Sequence, residues 1–440
     1  MQEHASSRIR IKELAANVRN DPFHYFPSWC RSAALDELRN RPLFIVGNGF
    51  GEGVFLSGGP RGPLDIRGLV ETRYAEFLVD GALWHLGYPA ARRLERMVGD
   101  RLPHWFGVLR RAGVQALASG MSAAGRMRIA RLGVARWLER AKAIPNSLSI
   151  IITQGPDARR YRRLARDHGI DALVVCEALR TPAFADLATG QFNDLIGDMP
   201  TRIEEFLALE SVLADEESVR VLHAVLAYRL TLDHDELDPV LHHPWREYFG
   251  SGLFRWGDDE TLYDVGAFTG DTLLRFMDAT GGRFRRAVCL EPDDRNFFFL
   301  QKMYDSLGAD AERVVIRKQG AWHEQTRLQF QATGDMGARI GNDASVSKLV
   351  SIDVTTIDAL AEELGPPTLV KCDAEGADRD VLAGGSRTFA AHKSRIAVSA
   401  YHLQDDLLAL TGVMRAANPD YQISLRQYFS GHWDTVLYAY

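Results

Sequence analysis

The fold is decided by the stretch Thr261-Leu-Tyr-Asp-Val-Gly-Ala-Phe-Thr-Gly-Asp-Thr272. Its first five residues form an apolar run that predicts a buried strand, and a glycine-rich turn follows them. Gly266 and Gly270 would let the backbone approach a ligand without interference from a Cβ atom. Asp271 and Thr272 can cap a helix after the turn. The stretch therefore predicts the first strand, turn and helix of an open α/β sheet.

Alternating segments continue from this unit to the end of the chain. The pattern predicts strands at 287–290, 314–316, 368–372 and 396–400, and helices at 296–307 and 357–364. The segments 421–428 and 435–440 have β alternation with no helix between them, which predicts an antiparallel hairpin. The second half is therefore expected to be a parallel sheet that closes with an antiparallel pair.

Carboxylates follow the predicted strands, at the end of the sheet where ligands of open α/β folds bind. Asp264 ends the first strand and can bind an ammonium group. Glu291 lies about 20 residues after the glycine turn, where a carboxylate of such folds chelates ribose hydroxyls. Asp373 and Glu375 follow the fourth strand, and His402 follows the fifth. We expect these groups to border one cleft, although a tight turn without a ligand is the alternative for the glycine stretch.

A phosphate ligand is disfavoured at the glycine turn. Asp264 and Asp271 would repel it, and no lysine follows in a G-K-[ST] pattern. The carboxylate at Glu291 fits a ribose in more than one nucleoside ligand, so its spacing alone leaves the ligand open.

The first half of the chain also alternates strands and helices. An apolar run at 43–46 predicts a strand, and glycines follow at 47, 49, 51 and 53, with Glu52 in place of the third glycine of a dinucleotide fingerprint. A strand at 148–152, a basic helix at 157–168 and a strand at 172–176 have the spacing of a βαβ unit. We place a smaller Rossmann-like α/β domain at 1–235, with a helical insertion at about 84–145, and a second domain at 236–440.

Composition limits the class of protein. A chain of 440 residues is long enough for two or three domains, and its formal net charge of -6 argues against general nucleic-acid binding. The four cysteines form no C-x-x-C pair, so neither a zinc site nor a disulfide framework is indicated. No signal peptide and no apolar segment of membrane-spanning length are found, and a cytoplasmic location is expected. The sequence leaves homo-oligomer formation open.

Motifs in a recognisable order run through the second half. They are Tyr248-Phe249, Asp264 to Thr272, Glu291-Pro292, Thr356-Ile-Asp-Ala-Leu360, Lys371-Cys-Asp-Ala-Glu-Gly376, Ser399-Ala-Tyr-His402, Leu425-Arg-Gln-Tyr428 and Val436-Leu-Tyr438. In order and spacing, the stretch from Tyr248 to Tyr440 resembles the FkbM family of methyltransferases that use S-adenosylmethionine (SAM). The resemblance covers nearly half of the chain, and no single motif would carry it alone.

The resemblance implies a class I methyltransferase sheet, Rossmann-like, with a C-terminal antiparallel hairpin. SAM would be the cofactor, and its methyl group would pass to a hydroxyl of a small-molecule or glycan acceptor. The residues expected to bind SAM are Asp264, Gly266, Ala267, Phe268, Gly270, Asp271, Thr272 and Glu291. Trp322, soon after the third strand, is a candidate to stack on the adenine, with a core tryptophan as the alternative.

The expected catalytic residues are His402, Asp373 and Glu375. His402 has the ordinary pKa of a general base near neutral pH, although a structural histidine at a strand end is the alternative. Asp373 and Glu375 would orient the acceptor, or bind a divalent ion together with His402, or shape the loop.

Two other functions stay open. One is a binding or regulatory protein, in which a nucleotide-sensing first half dominates and methyl transfer is weak or absent. The other is an NAD oxidoreductase, which is less favoured because the C-terminal hairpin and the D-x-E-G loop have no role in one.

Overall fold

The computed structural model describes residues 2–32, 35–47, 64–70, 131–153, 155–187, 196–249, 252–331, 339–340 and 349–440. The chain begins with helix α1 (Gln2–Asn20). It folds into two compact units. The smaller unit is Asn20–Asp194, and the larger unit combines Met1–Arg19 with Leu195–Tyr440.

The smaller unit contains a five-stranded parallel sheet. Its strand order is β3-β2-β1-β4-β5, so β1 lies in the centre and the chain order reverses there. Phe44, Trp137 and Ile151 are among the residues of its buried core. The elements are α2 (Ser28–Ser32), β1 (Leu43–Val46), β2 (Ile66–Val70), β3 (Arg131–Leu132), α3 (Val134–Ala143), β4 (Leu148–Ile151), α4 (Gly155–Asp167), β5 (Ala172–Val174) and α5 (Val175–Arg180).

Three predicted segments of the smaller unit differ from the structure or lie partly outside the described residues. The strand predicted at 172–176 ends at Val174, because the Glu177 carboxylate accepts a hydrogen bond from the Val174 amide at 3.0 Å and begins helix α5 there. The predicted helical insertion at 84–145 lies outside the described residues up to position 130, and its described end contains β3 and α3. Of the glycine turn at 47–53, only Gly47 is described.

The larger unit is built on a seven-stranded sheet of order β15-β16-β14-β13-β6-β7-β8. All neighbouring strands are parallel except at β16, which pairs antiparallel with both β14 and β15. This is the class I arrangement with a closing hairpin, and the predicted fold class is confirmed. The elements up to its third strand are α6 (Ile203–Ala208), α7 (Glu216–Thr231), β6 (Thr261–Val265), α8 (Asp271–Ala279), β7 (Arg286–Leu290), α9 (Asp294–Asp305) and β8 (Val314–Arg317).

A second, four-stranded sheet follows in the chain, which the sequence analysis did not predict. Its order is β11-β10-β12-β9, and its buried residues are Phe330, Ile352 and Val354. Half of the residues of β10 are exposed, so its sequence lacks the apolar run of a core strand. The strands are β9 (Gly320–Ala321), β10 (Thr326–Gln331), β11 (Arg339–Ile340) and β12 (Leu349–Thr355).

The remaining elements return to the main sheet. They are α10 (Ile357–Leu364), β13 (Leu369–Cys372), α11 (Asp378–Ala383), α12 (Ser386–His392), β14 (Arg395–Ser399), α13 (Asp406–Ala417), β15 (Ile423–Gln427) and β16 (Thr435–Ala439). In the centre of the sheet, Asp264 of β6 is in register with Cys289 of β7 and Lys371 of β13. This register brings the loops after β6, β7 and β13 together at the carboxyl end of these parallel strands.

The predicted boundary at 235/236 falls inside the larger unit. The segment before it packs on the edge strand β15: the Ala214 amide donates to the Ile423 carbonyl at 2.7 Å, and the His242 amide donates to the Gln427 carbonyl at 2.8 Å. Edge strands present unpaired backbone groups, and these bonds satisfy some of them. The second segment of the unit therefore begins near residue 195, because α6 and α7 are part of its packing.

Asp215 links this segment to the sheet. Its Oδ1 accepts a hydrogen bond from the Ser218 amide at 2.7 Å and so caps α7. The same carboxylate lies 3.2 Å from the Arg426 guanidinium of β15. Burial would raise the pKa of Asp215, but hydrogen bonds from Arg426, Ser218 and Ser424 lower it to about 2.

We predict that Asp215→Ala lowers the free energy of unfolding of the larger unit by more than the approximately 1 kcal/mol of a lost cap, since the nearly buried Arg426 also loses a partner. Asp215→Asn keeps a capping oxygen and should cost less. Because the folded-state pKa is depressed, the charge contribution is present above the ordinary pKa and declines as the pH falls toward 2. Urea unfolding at pH 7 measures the difference, and equal stability of Asp215→Ala and wild type would contradict the prediction.

Candidate functional site

The glycine loop after β6 touches the loop after β13. Gly266 has a φ of +73°, and a Cβ atom built on it would lie 1.9 Å from the carbonyl oxygen of Asp373. No larger residue fits without moving the backbone. Gly270 also has a positive φ, and a Cβ atom there would lie 2.3 Å from the Cε atom of Met303. The two glycines therefore serve packing as well as conformation, a reason that the sequence did not reveal.

Glu291 ties the loop after β7 to the glycine loop. Its Oε2 accepts a hydrogen bond from the Phe268 amide at 2.9 Å, and its Oε1 accepts one from the Asp293 amide at 2.8 Å. Burial raises the pKa of Glu291 to about 8, although these two amides oppose the shift. When it is ionised, this carboxylate has about four acceptor sites, so two remain for further donors such as a ribose diol.

Asp264 lies near the carboxyl end of strand β6, and none of its surface is exposed. Its Oδ1 pairs with Nζ of Lys371 at 3.2 Å, and its Oδ2 has no hydrogen-bond partner among the described residues. Burial raises the pKa of Asp264 to about 6, against the attraction of Lys371. A buried carboxylate with open acceptor positions is suited to a cationic donor.

Lys371 is the cation that the carboxylates share. Its Nζ donates to the Gly266 carbonyl at 2.7 Å and lies 5.5 Å from the ring centre of Tyr248. Burial alone would lower the pKa of Lys371, but Asp264, Asp373 and Asp271 raise it. Lys371 stands in a quoted sequence motif but was assigned no role there. The feature that could have pointed to it is a lysine in the otherwise apolar strand Leu369–Cys372.

The first turn of α8 carries the other predicted cofactor residues. Thr272 is buried, and the carboxylate of Asp271 lies 3.5 Å from the guanidinium of Arg275. Arg275 donates to the Glu247 carboxylate at 2.9 Å. Burial raises the pKa of Glu247 to about 7, with Arg275 opposing and Asp373 adding to the shift. After Lys371, Glu247 is the second residue of the site to which the sequence assigned no role.

Asp373 accepts hydrogen bonds from two tyrosines. The Tyr248 hydroxyl lies 3.3 Å from its Oδ2, and the Tyr401 hydroxyl lies 3.3 Å from its Oδ1. Burial would raise the pKa of Asp373, but His402, Lys371 and Ser399 hold it well below its ordinary value. Asp373 is therefore an ionised carboxylate, and about a quarter of its side chain is exposed.

His402 is buried among carboxylates. Its Nδ1 lies 2.9 Å from Asp378, and its Nε2 lies 3.3 Å from Asp373 and 3.9 Å from Glu375. Burial would lower the pKa of His402, but Asp378, Glu375 and Asp373 together raise it well above 6.5. The imidazole is therefore protonated at neutral pH, and the expected near-neutral pKa of a free general base is not what this environment gives.

Asp378 also shapes the loop that holds these groups. Its carboxylate accepts hydrogen bonds from the Ala374 amide at 2.9 Å and the Gly376 amide at 3.1 Å, besides its contact with His402. Glu375, within this loop, has a φ of +50°. Phe268 and Tyr248 also have left-handed backbone, with φ values of +48° and +64°. Such strain in residues other than glycine concentrates at functional sites.

Trp322 is placed with the second sheet. Its half-buried ring packs against Phe330, Ile352 and Val354, and its amide donates to the Thr355 carbonyl at 2.8 Å. These contacts fit the alternative of a core tryptophan. The other predicted residues lie close together, at the carboxyl ends of the parallel strands or in the loops and helix that follow them. They are Asp264 to Thr272, Glu291, Asp373, Glu375 and His402.

The described residues contain no group of three or more His, Cys, Asp or Glu side chains arranged to hold a metal ion. Asp373, Glu375 and His402 instead form a charge-paired cluster around the imidazole. Within the same part of the chain, no helix is both long enough and apolar enough to span a membrane.

Comparisons with known proteins agree with this geometry. The family model described as the methyltransferase FkbM domain matches residues 264–423. The crystal structure of the methyltransferase FkbM from Methylobacillus flagellatus KT is 26% identical, with a TM-score of 0.71, and the alignment covers 99% of this chain and 100% of that one. No curated protein matches the chain significantly.

Two further solved structures are more distant. A precorrin-6y C5,15-methyltransferase from Geobacter metallireducens is 13% identical with a TM-score of 0.27, and the alignment covers 42% of this chain and 82% of that one. A precorrin 8w decarboxylase from Methanobacterium thermoautotrophicum is 15% identical with a TM-score of 0.25, covering 42% and 83%. The family match and the FkbM structure together show that the larger unit contains a methyltransferase domain of the FkbM family at residues 264–423.

Proposed function

We propose that the protein is a SAM-dependent O-methyltransferase that methylates a hydroxyl group of a glycan or secondary-metabolite acceptor. The observation that carries the proposal is the buried carboxylate of Asp264, which pairs with Lys371 through Oδ1 at 3.2 Å but whose Oδ2 has no hydrogen-bond partner among the described residues. SAM carries an ammonium group that can supply the missing donors.

The residues around Asp264 fit the rest of the cofactor. Glu291 has acceptor positions left for two ribose hydroxyls, and the backbone at Gly266, Ala267 and Phe268 closes the loop beside it. Gly270, Asp271 and Thr272 would face the amino-acid end from the start of α8. Bound SAM supplies an electrophilic methyl group on a sulfonium, and a site with several carboxylates favours its positive charge.

Asp373 is our candidate for the residue that contacts the acceptor. Its ionised carboxylate already accepts hydrogen bonds from two tyrosine hydroxyls, so an acceptor hydroxyl can be held in the same way. The oxygen becomes more acidic as it bonds to the methyl group, and its proton can then pass to Asp373. An amine would be held as an ammonium ion by these carboxylates, without a lone pair to react, which favours O-methylation.

His402 and Glu375 complete the proposed acceptor side. As an imidazolium, His402 would fix the orientation of Asp373 through the 3.3 Å contact. Glu375 would orient the acceptor through a second hydrogen bond. A role for His402 as the base requires loss of its proton, which the surrounding carboxylates oppose.

The second candidate function is nucleotide binding by the smaller unit. Its parallel order β3-β2-β1-β4-β5 is that of dinucleotide-binding sheets, whose ligands bind where the chain order reverses. At that point Gly47 lies against Thr153, since a Cβ atom on Gly47 would be 2.8 Å from the Thr153 amide. The Thr153 hydroxyl is buried and has no hydrogen-bond partner among the described residues. A regulatory nucleotide or nucleotide sugar would satisfy it.

We predict that SAM binds with a stoichiometry of one per chain and that Glu291→Ala weakens binding by about 1–3 kcal/mol, or roughly 5- to 150-fold in Kd. The reason is the loss of charged hydrogen bonds to the ribose. Isothermal titration calorimetry measures both values, and Glu324→Ala, at an exposed position, is the control. Two SAM molecules per chain, or unchanged affinity in a folded Glu291→Ala protein, would contradict the assignment.

We predict that Asp373→Asn lowers kcat by roughly 10²–10⁴-fold, the usual worth of a group that takes a proton, with little change in SAM affinity. Because the pKa of Asp373 is depressed and that of His402 is raised, neither of these two groups should make kcat depend on pH between 6 and 8 at saturating SAM. Transfer of labelled methyl from SAM to a panel of hydroxylated acceptors provides the assay. A tenfold rise in kcat per pH unit across this range would instead indicate that His402 must lose its proton.

We predict that a nucleotide such as UDP binds the smaller unit and that Thr153→Val weakens this binding by about 1–3 kcal/mol, or roughly 5- to 150-fold in Kd. Valine has the shape of threonine without the hydroxyl, so the variant should remain folded and be as stable as the wild type without ligand. Calorimetry in the Glu291→Ala background separates this site from the SAM site. Absence of binding by UDP, ADP and NAD to the wild type would remove the second candidate.

A further inference from the structure

The loop between β14 and α13 carries Tyr401 and His402, and its support comes from outside the residues of the family match. Arg229 lies on α7, before the methyltransferase domain at 264–423. Its guanidinium is buried, with 2% of the residue exposed. Nη2 donates to the Ala400 carbonyl at 3.1 Å, and Nη1 donates to the Gln404 carbonyl at 3.3 Å. One side chain thus joins the two ends of the loop.

Asp406 holds the middle of the same loop. Its Oδ2 accepts a hydrogen bond from the His402 amide at 2.8 Å and from the Leu403 amide at 2.7 Å. Burial raises the pKa of Asp406 to about 7, while the charges of His402 and Arg229 act in the opposite direction. The backbone of His402 is therefore fixed by Asp406, and its ring is fixed by Asp378.

A second contact from the same segment reaches the loop. A Cβ atom on Gly197 would lie 1.8 Å from Oε1 of Gln404, so the Gly197 backbone packs directly on that side chain. Residues from 197 to 229 therefore brace the loop at Gln404 from two positions. Both belong to the larger unit, although they precede the family match.

Stability alone gives a weak reason to bury this arginine. Burial lowers the pKa of Arg229 to about 10, which shows that its surroundings disfavour the charge, although Asp406 opposes the shift. An apolar side chain of similar volume is often neutral or stabilising in place of a buried charge. What an apolar residue cannot supply is a planar fork of donors to two carbonyl oxygens.

We propose that Arg229 is a positioning residue for the acceptor side of the site. It holds the Ala400–Gln404 backbone so that His402 meets Asp378 and Asp373, and the segment before the family domain is thereby required for a complete site. The link to the methyl acceptor rests on the proposed function. The positioning itself concerns only this chain's own residues and can be tested without an acceptor.

The test compares three variants in the full-length protein. Arg229→Met removes the fork of donors but keeps the length of the side chain. Arg229→Lys keeps the charge but cannot span both carbonyls in the same geometry. Arg220→Met is the matched control, because Arg220 is exposed on the same helix. Hydrogen exchange of the 401–406 amides and NMR titration of the His402 imidazole are measured, together with SAM affinity by calorimetry.

For Arg229→Met we expect at least tenfold faster exchange at 401–406, with β6 and β13 unchanged and SAM affinity within about twofold of wild type. The pKa of His402 should fall toward its ordinary value, because the ring would move away from the carboxylates of Asp378, Asp373 and Glu375 on the facing loop. The charged groups next to the His402 loop on its other side are Asp406 and Arg229. Arg229→Lys should be intermediate, and Arg220→Met should match the wild type.

Two results would overturn the proposal. One is unchanged exchange at 401–406 together with an unchanged His402 titration. The other is faster exchange spread evenly over the larger unit in both Arg229 variants, which would mean a role in stability alone. If SAM failed to bind the wild type, the proposed function would fall, while the exchange and titration results would still decide the role of Arg229.

Discussion

The contact between Gly266 and the carbonyl of Asp373 is the constraint on which the site depends. It leaves no room for a Cβ atom, so the loops after β6 and β13 meet backbone to backbone. Lys371 crosses the same point, with its stem in β13 and its ammonium on the carbonyl of Gly266. Groups proposed to hold a cofactor and groups proposed to hold an acceptor thus lie on two loops whose main chains are in direct contact.

Charge at this edge is negative and only partly compensated. Asp264, Glu247 and Glu291 have pKa values raised by burial, while Asp373 remains ionised because Lys371 and His402 lie beside it. Buried carboxylates without full compensation are costly, and a bound cation relieves that cost. A cofactor with a positive ammonium and a positive sulfonium is suited to such a site, whereas a phosphate would add to the repulsion.

The sequence predicted most of the central sheet and the loops of the site, because apolar strands and the residues at their ends are local signals. It did not predict the second sheet, whose β10 is half exposed, or the boundary near residue 195, which depends on bonds to β15. The protonation state of His402 also could not be predicted from the sequence. Its neighbour Asp373 stands in a quoted motif and Asp378 lies two residues beyond that motif, but the protonation of the ring follows from distances that only the fold sets.

The boundary has a consequence for how the domain is defined. The family match at residues 264–423 contains strands β7, β8, β13 and β14 and the motifs between Asp264 and His402, yet the bonds that fix Ala400 and Gln404 come from Arg229 on α7. Asp215 at the start of the same helix caps it and pairs with Arg426 on the edge strand, so α7 is anchored to the sheet at one end and to the loop of His402 at the other. The helix therefore links the edge strand β15 to that loop. The proposed site is complete only in a unit that contains both α7 and the sheet.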